Sequence, residues 1–131
     1  MKMDMKTYAT GFQHIGIPTN NIEETIEFYH KLGFETAWRT GKKAETQVAF
    51  LRLGTLVIET YENHEAVMAA GAIDHVAIDV NDVEEVYRYI NESGLNTTGD
   101  TIHFLSFWEN GVRFFKIEGP NKETVEFSQI L

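Results

Sequence analysis

The sequence has no cysteine among its 131 residues, which excludes a disulfide, a thiolate nucleophile and a zinc site built on cysteine. Basic residues are also few, 11 against 20 acidic ones, and the net charge of −9 disfavours nucleic acid and anionic membrane surfaces as partners. No apolar run approaches the length of a membrane span, and the first ten residues lack the apolar region of a signal peptide. We therefore expect a soluble, cytoplasmic protein.

The length and a hydrophobic content of 43% suit one compact domain, which we assign to residues 1–131. Residues 1–10 are polar, and we expect them to be frayed. Without cysteine, any metal site in this domain must use histidine, carboxylates or other oxygen donors.

A long internal repeat organises the chain. The stretch FQHIGIPTNNIEETIEFYHKLG recurs as IDHVAIDVNDVEEVYRYINESG, and a shift of 61 positions (75 − 14) places His14 on His75 without a gap. Each copy begins with the alternation of a strand and continues with the apolar spacing of a helix that ends at a glycine. We expect Asn20 and Asn81 to cap the two helices.

Both copies continue into further strand-like runs, so the repeat predicts two β-α-β-β-β modules. We assign the first module to residues 12–62 and the second to residues 73–131, joined by a linker over 63–72 that holds one helical turn. Residues 95–111 are the least regular; we predict a short strand at Thr97 and then an aromatic-rich loop that covers a pocket. The fold class is therefore α+β, with two repeated modules.

Four ionisable side chains interrupt otherwise apolar strands, and each module supplies one histidine on its first strand and one glutamate on its last: His14, Glu59, His75 and Glu126. Taken singly, each is more simply a hydrogen-bonded structural histidine or a solvent-facing glutamate. The repeat, however, relates the four to one another. Small or polar residues flank them on the same strand faces and leave room for an ion and a ligand: Gly16, Ala77, Thr124 and Ser128.

The segments HIGI, EFYHKLGF, VIETYE, DHVAIDV and GPNKETVEF resemble the vicinal oxygen chelate superfamily (glyoxalase, bleomycin resistance and extradiol dioxygenase proteins), which also includes methylmalonyl-CoA epimerase. The resemblance covers residues 12–131 and is closest to lactoylglutathione lyase (glyoxalase I)-like proteins. It implies that the paired β-α-β-β-β modules form a cupped mixed sheet around one divalent metal ion, with the ligands His14, Glu59, His75 and Glu126.

The resemblance also implies a metal-dependent lyase or isomerase that acts on a small substrate with vicinal oxygens. Nickel, cobalt, zinc or manganese would act as a Lewis acid on the developing enediolate, and Glu126 or Glu59 would move the proton. We favour Glu126 as the base, because Thr124 and Ser128 make its surroundings more open and polar. Two alternatives stay open: a non-haem iron extradiol-type dioxygenase, in which Glu59 is a surplus ligand, and a non-catalytic protein that binds a drug or metabolite.

A few further residues are candidates for binding the substrate. Asn63 falls on a position that contacts glutathione in the bacterial glyoxalase I pattern, whereas Pro18 stands where that pattern has an arginine, so the use of glutathione stays open. His103, Trp108 and Arg113 are further candidates, although loop, core and surface roles are the simpler interpretation of them. Because family members commonly pair two chains, we expect a homodimer, with the metal site built within one chain or across the pair.

Overall fold

The computed structural model describes residues 5–131 and begins with a short helix, α1 (Met5–Tyr8), inside the segment that we expected to be frayed; residues 1–4 of that segment lie outside the described range. The first predicted module follows. Its elements are β1 (Ile15–Thr19), α2 (Ile22–Lys31), β2 (Glu35–Arg39), β3 (Val48–Leu53) and β4 (Leu56–Glu62).

The second module repeats this order of elements, which confirms the predicted α+β fold with two β-α-β-β-β units. It runs through β5 (Val76–Asp79), α3 (Val83–Glu92), β6 (His103–Leu105), β7 (Val112–Glu118) and β8 (Thr124–Ile130). Each module forms its own four-stranded mixed sheet, with the orders β1-β4-β3-β2 and β5-β8-β7-β6. In both sheets the first strand pairs parallel with the last strand of the module, and the other pairs are antiparallel.

The two long helices begin one residue later than we predicted from Asn20 and Asn81. The caps are Asn21 and Asp82, whose side chains accept hydrogen bonds from the backbone N–H groups three residues further on, at 3.1 and 3.2 Å. Asn21 has extended backbone and Asp82 has similar angles (φ −153°, ψ 86°), which aim each side-chain oxygen at the first helical turn. Among the described residues, no helix has both the length and the apolar character needed to cross a membrane.

Three local predictions were wrong. No strand forms at Thr97, because residues 95–100 make turns tied together by the side chain of Asn96, which bonds both the backbone N–H and the carbonyl of Asp100. A three-residue edge strand, β6, lies instead within the aromatic segment that we expected to be a loop. The linker over 63–72 is irregular and contains no helical turn.

The modules meet on the sides of their sheets that carry the helices. Tyr29 on α2 donates a hydrogen bond to Glu123 at 2.9 Å, and Asn121 donates one to Thr25 at 2.9 Å, so polar bonds cross between the modules. Around them, one hydrophobic cluster draws on both modules; its fully buried members include Leu51, Ile58, Val83, Ile90, Phe115, Ile117 and Val125. The opposite face of each sheet, which bears the candidate ligands, is turned away from this core.

Candidate metal centre

The first histidine–glutamate pair lies on the outward face of the first sheet. His14 comes directly before β1, and Glu59 lies in the middle of β4, where it pairs in register with Gly16. This register brings Nε2 of His14 to 3.4 Å from Oε1 of Glu59. The ring of Phe50 on β3 contacts His14 edge to face, with centroids 5.5 Å apart.

The second pair repeats this geometry in the second sheet. His75 comes directly before β5, and Glu126 on β8 pairs in register with Ala77. Nε2 of His75 lies 3.5 Å from Oε2 of Glu126. The sequence therefore encodes the same relation twice: the glutamate pairs with the residue two positions after the histidine.

Both imidazoles are oriented by the residue that precedes them. Nδ1 of His75 lies 2.9 Å from Oδ2 of Asp74, and Nδ1 of His14 lies 2.8 Å from Oε1 of Gln13. Because a carboxylate only accepts hydrogen bonds, Nδ1 of His75 carries a hydrogen, and Nε2 of the neutral ring carries the lone pair. The same hydrogen bond holds the pKa of Asp74 below its ordinary value.

In this state each Nε2 lone pair faces a carboxylate oxygen at 3.4 or 3.5 Å, which is longer than the roughly 2.7–3.2 Å of an N–H···O hydrogen bond. Two ligand atoms that each lie about 2.1 Å from the same ion are separated by about 3.0–3.4 Å. Imidazole with carboxylate is also a donor set that zinc, nickel, cobalt and manganese accept. Each pair therefore fits two neighbouring ligands of a divalent metal ion.

Within the described part of one chain, however, no group of three or more histidine, aspartate or glutamate side chains is close enough to hold a metal. The chain brings the four predicted ligands together only in pairs. We call these pairs the N half-site (His14 and Glu59) and the C half-site (His75 and Glu126).

A cavity of about 320 Å³ opens beside the C half-site. Glu126 borders it together with Lys116, its register partner on β7, and Ser128. Its apolar wall consists of Leu105, Phe107, Trp108, Val112 and Phe114. The cavity thus joins a carboxylate, a cation and an aromatic wall.

One premise for choosing Glu126 as the base was wrong. The side chain of Glu126 is 13% exposed and that of Glu59 is 28% exposed, so Glu126 has the less open surroundings. The polar character that we expected around Glu126 is present, because Thr124 and Ser128 flank it on the same face of β8. The adjoining cavity, rather than openness, distinguishes Glu126.

The substrate-binding candidates divide between the two faces of the second sheet. Trp108 lines the cavity beside the C half-site, and His103 lies on the same sheet face, in register with Phe114. Arg113 alternates to the opposite face, where it donates to Glu84 of α3 at 2.8 Å, so the structure places it away from the site. Asn63 lies just past β4 and accepts a hydrogen bond from its own loop at 2.9 Å.

Sequence reasoning missed Lys116 and Phe50, which contact or border the half-sites. The alternation along β7 places Lys116 on the same face as Phe114, and the alternation along β3 likewise exposes Phe50 on the face of Glu59. Period-two patterning was therefore a usable signal, but only once strand pairing told which neighbours stand opposite each other.

Comparisons with known proteins agree with this fold of two paired modules. Residues 11–127 match the family model of the Glyoxalase/Bleomycin resistance protein/Dioxygenase superfamily. The uncharacterized protein YwbC of Bacillus subtilis (strain 168) is 29% identical over 127 residues, which cover 92% of this chain and 98% of that protein.

Solved structures share the fold at low identity. A glyoxalase family protein from Enterococcus faecalis has a TM-score of 0.69 at 22% identity, covering 91% of this chain and 97% of that one. A glyoxalase family protein from Bacillus anthracis has a TM-score of 0.72 at 18% identity, with 95% and 98% covered. The fosfomycin resistance protein FosX from Listeria monocytogenes, in complex with Mn(II) and sulfate, has a TM-score of 0.69 at 17% identity, with 94% of each chain covered. The paired modules and the match over residues 11–127 show that the chain belongs to the glyoxalase/bleomycin resistance/dioxygenase superfamily.

Proposed function

We propose that this protein is a metal-dependent lyase or isomerase of the glyoxalase I-like type, acting on a small substrate with two vicinal oxygens. We further propose that its metal centre joins the N half-site of one chain to the C half-site of a second copy. The observation that carries this proposal is the presence of two histidine–glutamate pairs in one register, each on an outward sheet face where residues 5–131 provide no third ligand nearby.

The surfaces around the half-sites support a second copy as the partner. Trp38 beside the N half-site is 57% exposed, and Phe107 and Trp108 beside the C half-site are 59% and 71% exposed. Large apolar side chains gathered on one face typically mark an interaction surface. A two-fold axis that places each N half-site against the partner's C half-site would cover both faces and form two equivalent four-ligand centres.

The chain's own residues then have distinct roles. A metal ion bound by His14, Glu59, His75 and Glu126 would supply Lewis-acid polarisation of the two substrate oxygens. Glu126 takes a proton from the carbon next to the carbonyl and returns it to the carbonyl carbon, while the hydroxyl proton moves to the former carbonyl oxygen, which completes an isomerisation. Lys116 places a positive charge near the substrate oxygen that gains negative charge.

Glu126 suits proton transfer better than Glu59 because of what surrounds each carboxylate. Glu126 borders the cavity that would receive the substrate, together with Lys116. Glu59 instead lies opposite Phe50 and does not border that cavity. The N half-site therefore faces an aromatic ring where the C half-site faces the cavity.

Two inactive variants provide the test. One carries His14→Ala and Glu59→Gln, and the other carries His75→Ala and Glu126→Gln. A mixed dimer concentrates all broken ligands in one centre and leaves the other centre intact. Random pairing of equal amounts makes about half of the dimers mixed, so about a quarter of the wild-type metal content and turnover should return. Metal per chain is measured by mass spectrometry, and turnover is measured with methylglyoxal hemithioacetals.

Each variant alone, unfolded and refolded in the same way, is the matched control and should stay inactive. Wild-type metal uptake without any recovery on mixing would show that the centre forms within one chain. A wild-type protein that takes up none of nickel, cobalt, zinc and manganese would contradict the proposed function as a whole.

A further inference from the structure

His103 and Asp100 form an imidazole–carboxylate pair apart from the four candidate ligands. Nε2 of His103 lies 2.7 Å from Oδ1 of Asp100. Because the carboxylate only accepts, Nε2 carries the hydrogen, and Nδ1 of the neutral ring keeps a lone pair. Across residues 5–131, no hydrogen bond occupies Nδ1 of His103. The pair therefore presents an oriented hydrogen-bond acceptor.

Asp100 is itself firmly held. Its Oδ2 accepts from the backbone N–H of Lys116 at 2.8 Å, and its carbonyl accepts from Asn96 at 2.9 Å and from the Tyr87 hydroxyl at 3.0 Å. Burial raises the pKa of the Asp100 carboxyl, but the hydrogen bonds from His103 and Lys116 outweigh burial and leave the pKa below its ordinary value. Asp100 is thus a charged and fixed support for His103.

The pair borders a second cavity, of about 680 Å³, that adjoins the cavity at the C half-site. Leu105, Phe114 and Lys116 line both cavities. The imidazole of His103 also contacts the ring of Phe114, with centroids 5.5 Å apart. The two cavities therefore form one cleft that passes over Phe114.

The strand register measures the length of this cleft. His103 on β6 pairs with Phe114 on β7, and β7 pairs with β8, which carries Glu126. His103 thus lies two strands from the strand of Glu126. Adjacent strands are about 4.8 Å apart, which gives roughly 10 Å across the sheet. Phe114 pairs with Ser128, two residues from Glu126, which adds about 7 Å along the strand, so the positions of His103 and Glu126 are roughly 12 Å apart.

We propose that His103, positioned by Asp100, is a substrate-recognition residue that accepts a hydrogen bond from a hydroxyl or amide N–H group on the substrate's tail. This inference rests on the proposed function, because the other end of the substrate is the pair of vicinal oxygens at the C half-site. The substrate class is therefore an elongated molecule with a hydrogen-bond donor about 12 Å from its vicinal oxygens, rather than a short dicarbonyl compound alone.

Two hemithioacetals of methylglyoxal that differ in the length of their tails test this assignment. The adduct of glutathione carries amide N–H groups on a long tail, and the adduct of 2-mercaptoethanol is too short to reach His103. His103→Phe keeps an aromatic ring against Phe114 but removes the acceptor. We expect this change to raise KM for the long substrate by about three- to tenfold, the range for one neutral hydrogen bond, and to lower the preference for the long over the short substrate by the same factor.

Two further variants sharpen the experiment. Asp100→Ala leaves the imidazole but removes its support, so it should reproduce part of the KM rise. His30→Phe is the matched control: His30 on α2 is an exposed histidine whose Nε2 lies 2.9 Å from the hydroxyl oxygen of Thr36, and the control should leave the substrate preference unchanged. An equal KM change for both substrates in His103→Phe, or no change for either, would overturn the proposal.

A second readout separates this proposal from the proposed function. In metal-free protein labelled with ¹⁵N-histidine, S-methylglutathione should shift the Nδ1 resonance of His103, and Asp100→Ala should weaken that shift. If neither hemithioacetal is turned over, the glyoxalase-type function fails, while this titration still decides the subsite. A shift confined to His103 supports the recognition role, and the absence of a shift overturns it.

Discussion

The two modules place a histidine and a glutamate in the same register, although the rest of their strands differ. Glu59 pairs with Gly16 in the first sheet, and Glu126 pairs with Ala77 in the second. The parallel pairing of the first and last strands sets this relation, and helices of equal length follow both first strands. The repeat has therefore kept the part of the geometry that holds two ligand atoms side by side.

The surroundings of the two pairs differ. At the N half-site, Phe50 packs against His14, and Trp38 of the five-residue strand β2 packs against Phe50 with centroids 6.2 Å apart. At the C half-site, the corresponding edge strand β6 has three residues, and the turns before it leave the sheet edge open beside Lys116. One module thus offers a half-site alone, whereas the other offers a half-site with a cleft beside it.

The largest expected effect is a difference between the two glutamates when each is replaced by glutamine. Glu126→Gln should lower kcat by about 100- to 10,000-fold at saturating metal, because it removes the group that moves the proton. Glu59→Gln should weaken metal binding more than it lowers kcat, since the N half-site faces aromatic rings rather than the cavity. Steady-state kinetics with metal occupancy measured on the same samples separates the two effects.

The assignment of roles depends on the order of these losses. Equal losses of kcat in the two variants would mean that both carboxylates take part in proton transfer. A larger loss in Glu59→Gln would exchange the roles that we assign to the half-sites. Full activity in both variants would exclude a glutamate base altogether.

A second prediction concerns the bonds that join the modules. Asn121 is 7% exposed and donates to Thr25 across the module boundary. Asn121→Ala should lower the free energy of unfolding by about 1–3 kcal/mol, because it removes a buried hydrogen bond and leaves the partner group less satisfied. Urea unfolding gives the value. Asn91→Ala is the control, since exposed Asn91 bonds to Tyr87 within one module, and an equal loss there would contradict a special role for the boundary.

The smallest expected effect is the loss of stability on removing the N-cap of either long helix, and it tests how similar the two caps are. Asn21→Ala and Asp82→Ala should each cost about 1 kcal/mol, because each removes the side chain that accepts a hydrogen bond from the first helical turn. The two losses in urea unfolding should agree closely. Asn81→Ala changes an exposed neighbour and should cost less; a larger loss there would place the cap where the sequence pattern alone suggested it.

Much of this architecture could be predicted from the repeat. The alternation and helical spacing identified both modules, and the last strand was predicted with the bounds that the structure shows, Thr124–Ile130. The failures came where local signals competed: adjacent residues Asn20 and Asn21 are both good caps by type, and only the backbone conformation selects the second. The three-residue strand β6 carries too little periodicity to be distinguished from a loop.

The residues of the candidate site could be predicted only in part. The repeat related the four ionisable residues because sequence spacing survives in each copy, and strand alternation correctly separated Glu59 from the buried face. It did not place Arg113, since a residue on a strand next to a site can point to either face, and only the pairing with β6 and the bond to Glu84 decide which.

The sequence by itself determined the modules, the residue types of the candidate ligands and the face of each strand that carries them, because these follow from local periodicity and from residue chemistry. Only the tertiary structure decided that the four candidate ligands remain in two pairs within the described part of one chain, that a cleft adjoins one pair, and that His103 is oriented by Asp100. These features depend on strand register and on how the modules pack, which bring together residues that are distant along the chain, and no local pattern encodes such distances.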